Sequence, residues 1–286
     1  AAMPDGTGLM EFRDKFPDRF IDAGIAEQHA VAMASGLATS GMRPICAIYS
    51  TFLQRGYDQV FQEVCRQGLP VLFAMDRAGL VGQDGPTHNG VFDLAYLRTV
   101  PNMIIAAPSD ENECRQLLSS AYQHEGPAAV RYPRGTGPGV AIEKPLDTLP
   151  IGQARTLRDG QQVAILAFGA LTPAALDAGK ALNATVLDMR WVKPLDRDAI
   201  LKATASHTLL VTVEDHQRMG GAGSAVNELL HEEGLLVDVL NLALPDHFIH
   251  HGKRDALLAQ AGLDAEGIET QIRARLSEQQ RLREAR

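Results

Sequence analysis

No stretch of this 286-residue sequence is both long and apolar enough to predict a membrane span, which needs roughly 20 such residues. The opening segment, residues 1–6, has neither a basic region nor an apolar core, so it is not typical of a secretory signal. We therefore predict no membrane partner.

Cysteine is scarce, with three widely spaced residues at Cys46, Cys65 and Cys114. Their odd number and spacing argue against a disulfide framework and against a cysteine metal site, and fit reduced thiols. The histidines between 247 and 251 have no convincing ligand spacing with Cys or carboxylates, which argues against zinc. We predict no metal ligand in this chain.

Positive charge is also in deficit, since 27 Lys and Arg against 35 Asp and Glu give a formal net charge of −8. Nucleic-acid phosphates are bound by clustered Lys and Arg, so this balance argues against a nucleic-acid partner. Hydrophobic residues make up 45% and charged residues 22%, which is typical of a globular enzyme. The length predicts two domains of ordinary size.

Short apolar runs alternate with amphipathic stretches, the pattern of parallel strands joined by crossover helices. The first half predicts strands near 19–22, 44–49, 71–76, 103–107 and 128–132, and helices at about 26–40, 52–67 and 110–124. The second half predicts strands near 162–167, 184–188, 208–213 and 237–241, and helices at about 173–182, 196–203, 222–232 and 263–286. With a Pro- and Gly-rich linker at 133–150, we expect α/β architecture in two doubly wound, mostly parallel domains, residues 1–149 and 150–286.

Candidate functional residues follow the predicted strands of the first half. Glu27 opens a predicted helix, Tyr49 ends a strand, and Arg77 and Arg134 follow two others. In open α/β sheets, ligands bind at the carboxyl ends of the strands, where loops converge. The sequence therefore predicts one site that is built from several strand ends.

Two residues match what the pyrimidine ring of thiamin diphosphate requires, namely a carboxylate that holds a proton on a ring nitrogen and an aromatic face. Glu27 would supply the carboxylate and Phe52 the face, with Arg55 one turn further along the same helix. Each has an ordinary alternative. Glu27 could be a favourable charge at a helix start, Phe52 a core residue, and Arg55 a brace for a loop.

Arg77 and Arg134 are candidates for an anionic substrate group, because a guanidinium fork matches phosphate oxygens. Tyr49 could donate a hydrogen bond to the same group or to the cofactor. His88, in a glycine-rich loop, suits proton transfer near neutral pH, and Asp84 could orient it or contact substrate. The alternatives are surface arginines, a solvated histidine and a strand tyrosine.

Two further patterns carry no chemistry in our interpretation. His29 lies two residues after Glu27 and therefore on another helix face, which favours a structural role. Residues 219–224 resemble a dinucleotide fingerprint, but Val226 replaces the third glycine and Asn241 stands near where an acidic residue is expected. We interpret this segment as a tight strand-to-helix turn.

With these residues assembled, the sequence resembles the 1-deoxy-D-xylulose-5-phosphate synthase family along essentially its whole length. The motifs that carry the resemblance are residues 26–30, 47–55, 76–79, 84–88, 108–113, 130–135, 192–196 and 219–224. That family is similar to transketolases and to the beta chains of 2-oxo acid dehydrogenases. The resemblance implies a thiamin-diphosphate pyrimidine-binding domain followed by a transketolase C-terminal-like domain.

The resemblance also implies roles. Glu27 would activate the pyrimidine, Phe52 would stack on it, and Arg55 would lie close by. The phosphate of glyceraldehyde 3-phosphate would be bound by Tyr49, Arg77 and Arg134, and the pyruvate-derived group would face His88 and Asp84. The implied reaction condenses pyruvate with glyceraldehyde 3-phosphate, with loss of carbon dioxide, for isoprenoid, thiamin and pyridoxal synthesis. Members are homodimers of the bacterial cytoplasm or of plastids.

The sequence departs from that family in one respect. Members bind diphosphate and magnesium through a Gly-Asp-Gly motif followed by an Asn, and this chain contains no Gly-Asp-Gly. Residues 1–3 also resemble the loop after the first strand of the pyrimidine-binding domain. We therefore expect a fragment without that strand and without the N-terminal domain, which a separate chain could supply. Alone, it should show no turnover and weak thiamin diphosphate affinity.

Two alternatives stay open. The chain could be the beta chain of a 2-oxo acid dehydrogenase or half of a split transketolase, both of which lack the diphosphate domain. The two phosphate-directed arginines and the run 131–135 argue against a dehydrogenase beta chain. It could also be a non-catalytic dimerisation or regulatory module, whose signature would be loss of Glu27 or of the arginines.

Overall fold

A computed structural model describes residues 1–284, which form two five-stranded sheets with helices around them. The first sheet contains β1 (Ile45–Tyr49), β2 (Leu72–Asp76), β3 (Ile104–Ala106), β4 (Ala128–Arg131) and, from later in the chain, β8 (Trp191–Lys193). Its order is β1-β2-β4-β3-β8, and all pairs are parallel except β3-β8.

The second sheet contains β5 (Arg155–Arg158), β6 (Val163–Phe168), β7 (Thr185–Asp188), β9 (Leu209–Gln217) and β10 (Val239–Leu244). Its order is β10-β9-β6-β7-β5, with only the β5-β7 pair antiparallel. Every residue of β2 and of β6 is buried, as expected for parallel strands that are covered on both faces. The prediction of two mostly parallel α/β units is confirmed.

The helices agree with most of the predicted ones. They are α1 (Met10–Lys15), α2 (Glu27–Thr39), α3 (Ser50–Leu53), α4 (Tyr57–Gln59), α5 (Asp93–Arg98), α6 (Glu111–Gln123), α7 (Thr172–Leu182), α8 (Arg197–Ser206), α9 (Ala222–Glu232), α10 (Arg254–Gln260) and α11 (Ala265–Glu284). The start of α6 is fixed by Asp110, whose carboxylate accepts a hydrogen bond from Glu113 N at 2.8 Å. The end of the predicted tail helix, residues 285–286, lies outside the described residues.

The strand predicted at 19–22 is wrong. Pro17–Arg19 forms a 3-10 turn, since proline favours the first position of such a turn. In the segment that follows, Ile21 and Ala23 both hydrogen-bond with Ala1. Ala1 N donates to Ile21 O, and Ala23 N donates to Ala1 O. One paired residue is too short for a strand.

The single helix predicted at 52–67 is also wrong, because the segment is divided. It consists of α3, a 3-10 turn at Gln54–Gly56, α4 and a π-helical segment at Val60–Cys65. At the 3-10 turn, buried Gly56 packs against α2, and a Cβ atom there would lie 3.5 Å from the carbonyl oxygen of Glu27. This close approach brings the segment next to the start of α2.

The two halves share buried surface. One apolar cluster runs from Val31 and Leu94 in the first half to Phe168, Met189 and Leu230 in the second. None of the helices in residues 1–284 combines the length and apolar character that crossing a membrane requires.

Candidate active site

Glu27 begins α2 and turns its carboxylate inward, with only 2% of the side chain exposed. Its Oε2 has no hydrogen-bond partner among the described residues. Arg55 Nε lies 3.9 Å away, a distance for charge attraction but too long for a hydrogen bond. A buried carboxylate oxygen without a partner is costly, so the site presents an acceptor that a ligand N–H could satisfy.

Phe52, in α3, packs between two other predicted site residues. The ring of Tyr49 is stacked on it, with centroids 5.5 Å apart and planes inclined by 17°. The ring of His88 meets it edge-on at 5.3 Å and 74°. On Tyr49, the Arg77 guanidinium carbon lies 3.9 Å from the ring centroid, a cation–π contact. These four side chains form one continuous row.

Arg77 is held in an unusual backbone conformation at the end of β2, with φ of 59°. Its Nη1 donates to Gly6 O at 2.6 Å and pairs with the carboxylate of Asp76. Burial raises the pKa of Asp76, and the Arg77 charge opposes that shift. Burial also raises the pKa of Tyr49, so its hydroxyl is a neutral hydrogen-bond donor beside a fixed guanidinium.

Arg134 and Asp84 form a part-exposed ion pair, with Nη1 3.3 Å from Oδ2. Both charges act on the pKa of Tyr49, which places the pair within electrostatic range of the aromatic row. His88 Nδ1 lies 2.9 Å from the hydroxyl of Thr87, a partner that the sequence did not suggest. The eight predicted residues therefore form three groups, namely the Glu27–Arg55 pair, the row of four side chains and the Arg134–Asp84 pair, and their common site and chemical roles stay predictions.

The loop that carries Asp84 and His88 is closed at its base by Gly79 and Gly90, which exchange backbone hydrogen bonds of 2.8 and 2.9 Å. The second half of the chain also holds it, because Gly252 N donates to the carbonyl oxygen of Gly82 at 3.2 Å. The elements around the second sheet thus position a loop of the first.

A buried charge network completes this attachment and was missed in the sequence. Arg131 lies between Asp93, with Nε 2.8 Å from Oδ2, and Asp215 of β9, with Nη1 2.9 Å from Oδ1. Its Nη2 donates to Gly90 O at 3.3 Å, and Arg254 Nη2 lies 3.3 Å from the other oxygen of Asp215. Neither aspartate stands in a motif that would have identified it.

The residues present fit the pyrimidine end of thiamin diphosphate, because a buried carboxylate oxygen with no partner in residues 1–284 opens α2, and an aromatic ring lies in α3, whose following turn packs against α2. Among residues 1–284, no group of three or more His, Cys, Asp or Glu could hold a metal ion.

Comparison with known proteins agrees with this fold. The family model for the transketolase pyrimidine-binding domain matches residues 1–139, and the model for the transketolase C-terminal domain matches residues 152–268. A solved structure described as a split gene transketolase, inactive beta4 tetramer, superposes with a TM-score of 0.86 at 31% identity, over 97% of this chain and 91% of that one. The chain therefore belongs to the transketolase family.

Within that family, the chain matches the C-terminal portion of proteins named 1-deoxy-D-xylulose-5-phosphate synthase. The relative from Alcanivorax borkumensis is 75% identical over 284 residues, and that from Bordetella petrii is 62% identical over 274 residues. These alignments cover 99% and 96% of this chain. The chain spans 44% of the length of each of these two relatives.

Proposed function

We propose that this chain supplies the pyrimidine-binding and substrate-binding part of a thiamin-diphosphate-dependent transferase. The reaction condenses pyruvate with glyceraldehyde 3-phosphate to 1-deoxy-D-xylulose 5-phosphate and carbon dioxide. The observation that most supports this proposal is the buried Glu27 carboxylate, whose Oε2 has no hydrogen-bond partner within residues 1–284 and lies 3.9 Å from Arg55 Nε. The names of the relatives support the choice of reaction.

The residues act on the cofactor and substrate in distinct ways. Glu27 holds a proton on the pyrimidine ring, and Phe52 offers a ring face to it. The bound cofactor supplies the electron sink for the carbon that loses carbon dioxide. His88, held by Thr87 and packed on Phe52, moves a proton at the substrate, next to Asp84.

The phosphate of the substrate binds between Arg77 and Arg134, with the neutral Tyr49 hydroxyl as a further donor. Before it arrives, the two guanidinium groups are kept in place by Asp76 and Asp84. The phosphate replaces or shares these carboxylates as the partner of the two arginines.

The diphosphate and magnesium ligands would come from an N-terminal domain, as part of the same polypeptide or as a separate chain. This proposal includes a homodimer in the bacterial cytoplasm or in a plastid, serving isoprenoid and thiamin synthesis. The isolated 286 residues should bind thiamin diphosphate weakly and show no turnover.

A second candidate is half of a split transketolase, which the length and coverage of the split gene transketolase match favour. The two candidates differ in substrate. A ketose phosphate donor would be consumed by a transketolase, whereas pyruvate would be consumed by the proposed synthase. Lipoamide-dependent activity with an alpha partner would instead indicate a 2-oxo acid dehydrogenase beta chain.

The test is complementation. The purified chain is mixed with the remaining N-terminal portion of the Alcanivorax borkumensis relative, thiamin diphosphate and magnesium, and formation of the product is followed in a coupled assay. We expect product from the mixture and none from either part alone. Glu27→Gln should lower the rate at least about 100-fold, whereas Glu63→Gln, at an exposed glutamate, should leave it unchanged. Product from the chain alone, or full activity of Glu27→Gln, would contradict the proposal.

A further inference from the structure

A cavity of about 660 Å³ lies at the carboxyl ends of β3 and β4, between the first half of α6, the linker after β4 and the start of α7. Ligand sites in proteins fall in the range of roughly 300–1,000 Å³ and occur preferentially where domains meet. Apolar groups of Leu118, Leu146 and Pro173 line it, together with Tyr132. Arg134 is also part of its wall.

The acidic side chains of the wall, Asp110 and Glu111, each accept backbone hydrogen bonds. Asp110 caps α6 through Glu113 N at 2.8 Å. Glu111 Oε1 accepts hydrogen bonds from the backbone of Gly139 at 2.7 Å and of Val140 at 3.1 Å, which folds the linker over the cavity. These carboxylates therefore stabilise the wall and keep their negative charge, and the buried Oε2 of Glu111 has no hydrogen-bond partner among the described residues.

The three arginines of the wall differ in how firmly they are held. Arg115 donates to the carbonyl oxygens of Glu143 and Pro145, and Arg254 contacts Asp215 and the carbonyl oxygen of Leu80. Arg134 has one ion pair, at 3.3 Å, and 42% of its side chain is exposed. Arg134 is thus the cation that is most accessible to a ligand.

The inner wall is neutral. Burial raises the pKa of Cys114 to about 12 and raises the pKa of Tyr132 well above its usual range. The thiol and the phenol therefore stay protonated and uncharged at neutral pH, beside an apolar surface. A fully polar ligand would leave this apolar surface without an apolar group to pack against it.

We propose that this cavity binds a small amphipathic anion, a phosphate monoester with a short apolar body. The phosphate lies on Arg134, and the body packs against Leu118, Leu146 and Pro173. Because Arg134 also belongs to the proposed substrate-phosphate site, the ligand competes with the phosphorylated substrate; this competition, unlike the binding itself, rests on the proposed function.

Calorimetric titration of the purified chain with phenyl phosphate and with inorganic phosphate tests the binding. Phenyl phosphate should bind at least tenfold more tightly than inorganic phosphate. Ala170→Phe, which fills the cavity from the 3-10 turn before α7, should weaken the binding of phenyl phosphate at least tenfold and leave that of inorganic phosphate unchanged. Leu118→Trp, which fills the cavity from α6, should have the same effect on the two affinities. If one of the two variants misfolds, the other still tests the proposal.

Phe52→Ala is the control, because it removes the ring of the proposed cofactor site and leaves the cavity wall intact. It should not change the affinity for phenyl phosphate. Equal affinity for the two probes, no binding of either, or unchanged binding to both cavity variants overturns the proposal. Loss of binding in Phe52→Ala overturns it as well, by assigning the probe to the cofactor site. None of these results bears on the complementation assay, so the two proposals fail separately.

Discussion

At the scale of single residues, the position of Tyr49 depends on a glycine that no motif identifies. Gly6 lies so close to the ring that a Cβ atom there would be 1.7 Å from the Tyr49 hydroxyl oxygen. The same residue accepts the 2.6 Å hydrogen bond from Arg77. Gly6 therefore fixes two candidate phosphate ligands at once, through its missing side chain and through its carbonyl oxygen.

We expect Gly6→Ala to displace Tyr49 and to destabilise the chain by about 1–3 kcal/mol, the usual cost of forcing extra volume into a packed site. Thermal denaturation measures the stability, and titration with inorganic phosphate measures the site. Gly36→Ala is the matched control, because no atom lies within 4 Å of the added Cβ. It should stabilise α2 by roughly 0.5–1 kcal/mol, since alanine favours helices more than glycine. Equal behaviour of the two variants would show that Tyr49 does not need Gly6.

The sequence could propose site residues but not their partners. Tyr49 and Arg77 were proposed from residue type and position at the ends of β1 and β2, whereas Glu27 was proposed after a strand that does not form. The contact of Gly6 with Tyr49 joins segments that are 43 positions apart in the sequence, and the partnerless oxygen of Glu27 is a property of packing. Neither feature produces a recognisable pattern in the local sequence.

At the scale of elements, the loop between Gly79 and Gly90 is attached to β9 through Arg131 and Asp215. Removing one partner of a buried ion pair leaves an uncompensated charge. The side chain of Arg131 is 3% exposed and that of Asp215 is 2% exposed, so solvent cannot replace the lost partner. The attachment is therefore sensitive to single substitutions.

Asp215→Ala should lower the free energy of unfolding by about 3–5 kcal/mol, measured by urea denaturation, because Asp93 is then the one carboxylate of the described residues that still pairs with Arg131. Glu228→Ala serves as control, since that carboxylate is 61% exposed and pairs with Arg98 near the surface. Its cost should stay within about 1 kcal/mol. A cost for Asp215→Ala no larger than that of the control would mean that the network does not hold the loop.

The glycine-rich run after β9 is a tight turn, as predicted, and the structure explains why it is not a dinucleotide site. Glu214 accepts hydrogen bonds from the backbone of Ala222 at 2.6 Å and Gly223 at 2.8 Å. Its carboxylate thus occupies the start of α9, where a bound phosphate would otherwise lie. Burial raises the pKa of Glu214 to about 7, although the two backbone donors oppose the shift.

This raised pKa predicts a pH dependence of stability. The folded state holds a proton on Glu214 at pH values where the unfolded chain, with a pKa near 4.5, has lost it. The stabilisation is therefore complete below about pH 4.5 and is lost as the pH rises through about 7. Relative to Glu214→Gln, the native chain should lose stability between pH 5 and pH 8 in urea denaturation. Glu228→Gln should show no such slope, and a pH-independent difference for Glu214→Gln would refute the assignment.

Periodicity in the sequence predicted the parallel strands and the long helices but missed the antiparallel edge strands and several short helices. The strands β5 and β8, and the short helices α1, α5 and α10, were not predicted. A strand of three residues such as β8 has no measurable alternation, and its partner β3 lies in the other half of the chain. Such elements depend on tertiary contacts more than on local preference.

At the scale of the whole molecule, β8 makes the two halves interdependent. It follows β7 in the chain, yet it pairs with β3 and completes the first sheet. Trp191 of this strand, the single tryptophan of the sequence, is fully buried there. A division into residues 1–149 and 150–286, which we still propose by family resemblance, would therefore remove an edge strand from the first domain.

We accordingly expect the chain to unfold in one cooperative transition despite its two sheets. Trp191 fluorescence reports the β3-β8 edge, and far-ultraviolet circular dichroism reports both sheets, so the two signals should change at the same urea concentration. Residues 1–149 expressed alone should unfold at lower urea than the intact chain, because Ile104 and Leu117 then lose the cover of Trp191. Extending that piece would not restore β8 unless it reached residue 193, since the strand ends there. Separate transitions for the two signals, with unchanged stability of residues 1–149, would mean instead that each sheet folds independently and that β8 is only an accessory edge.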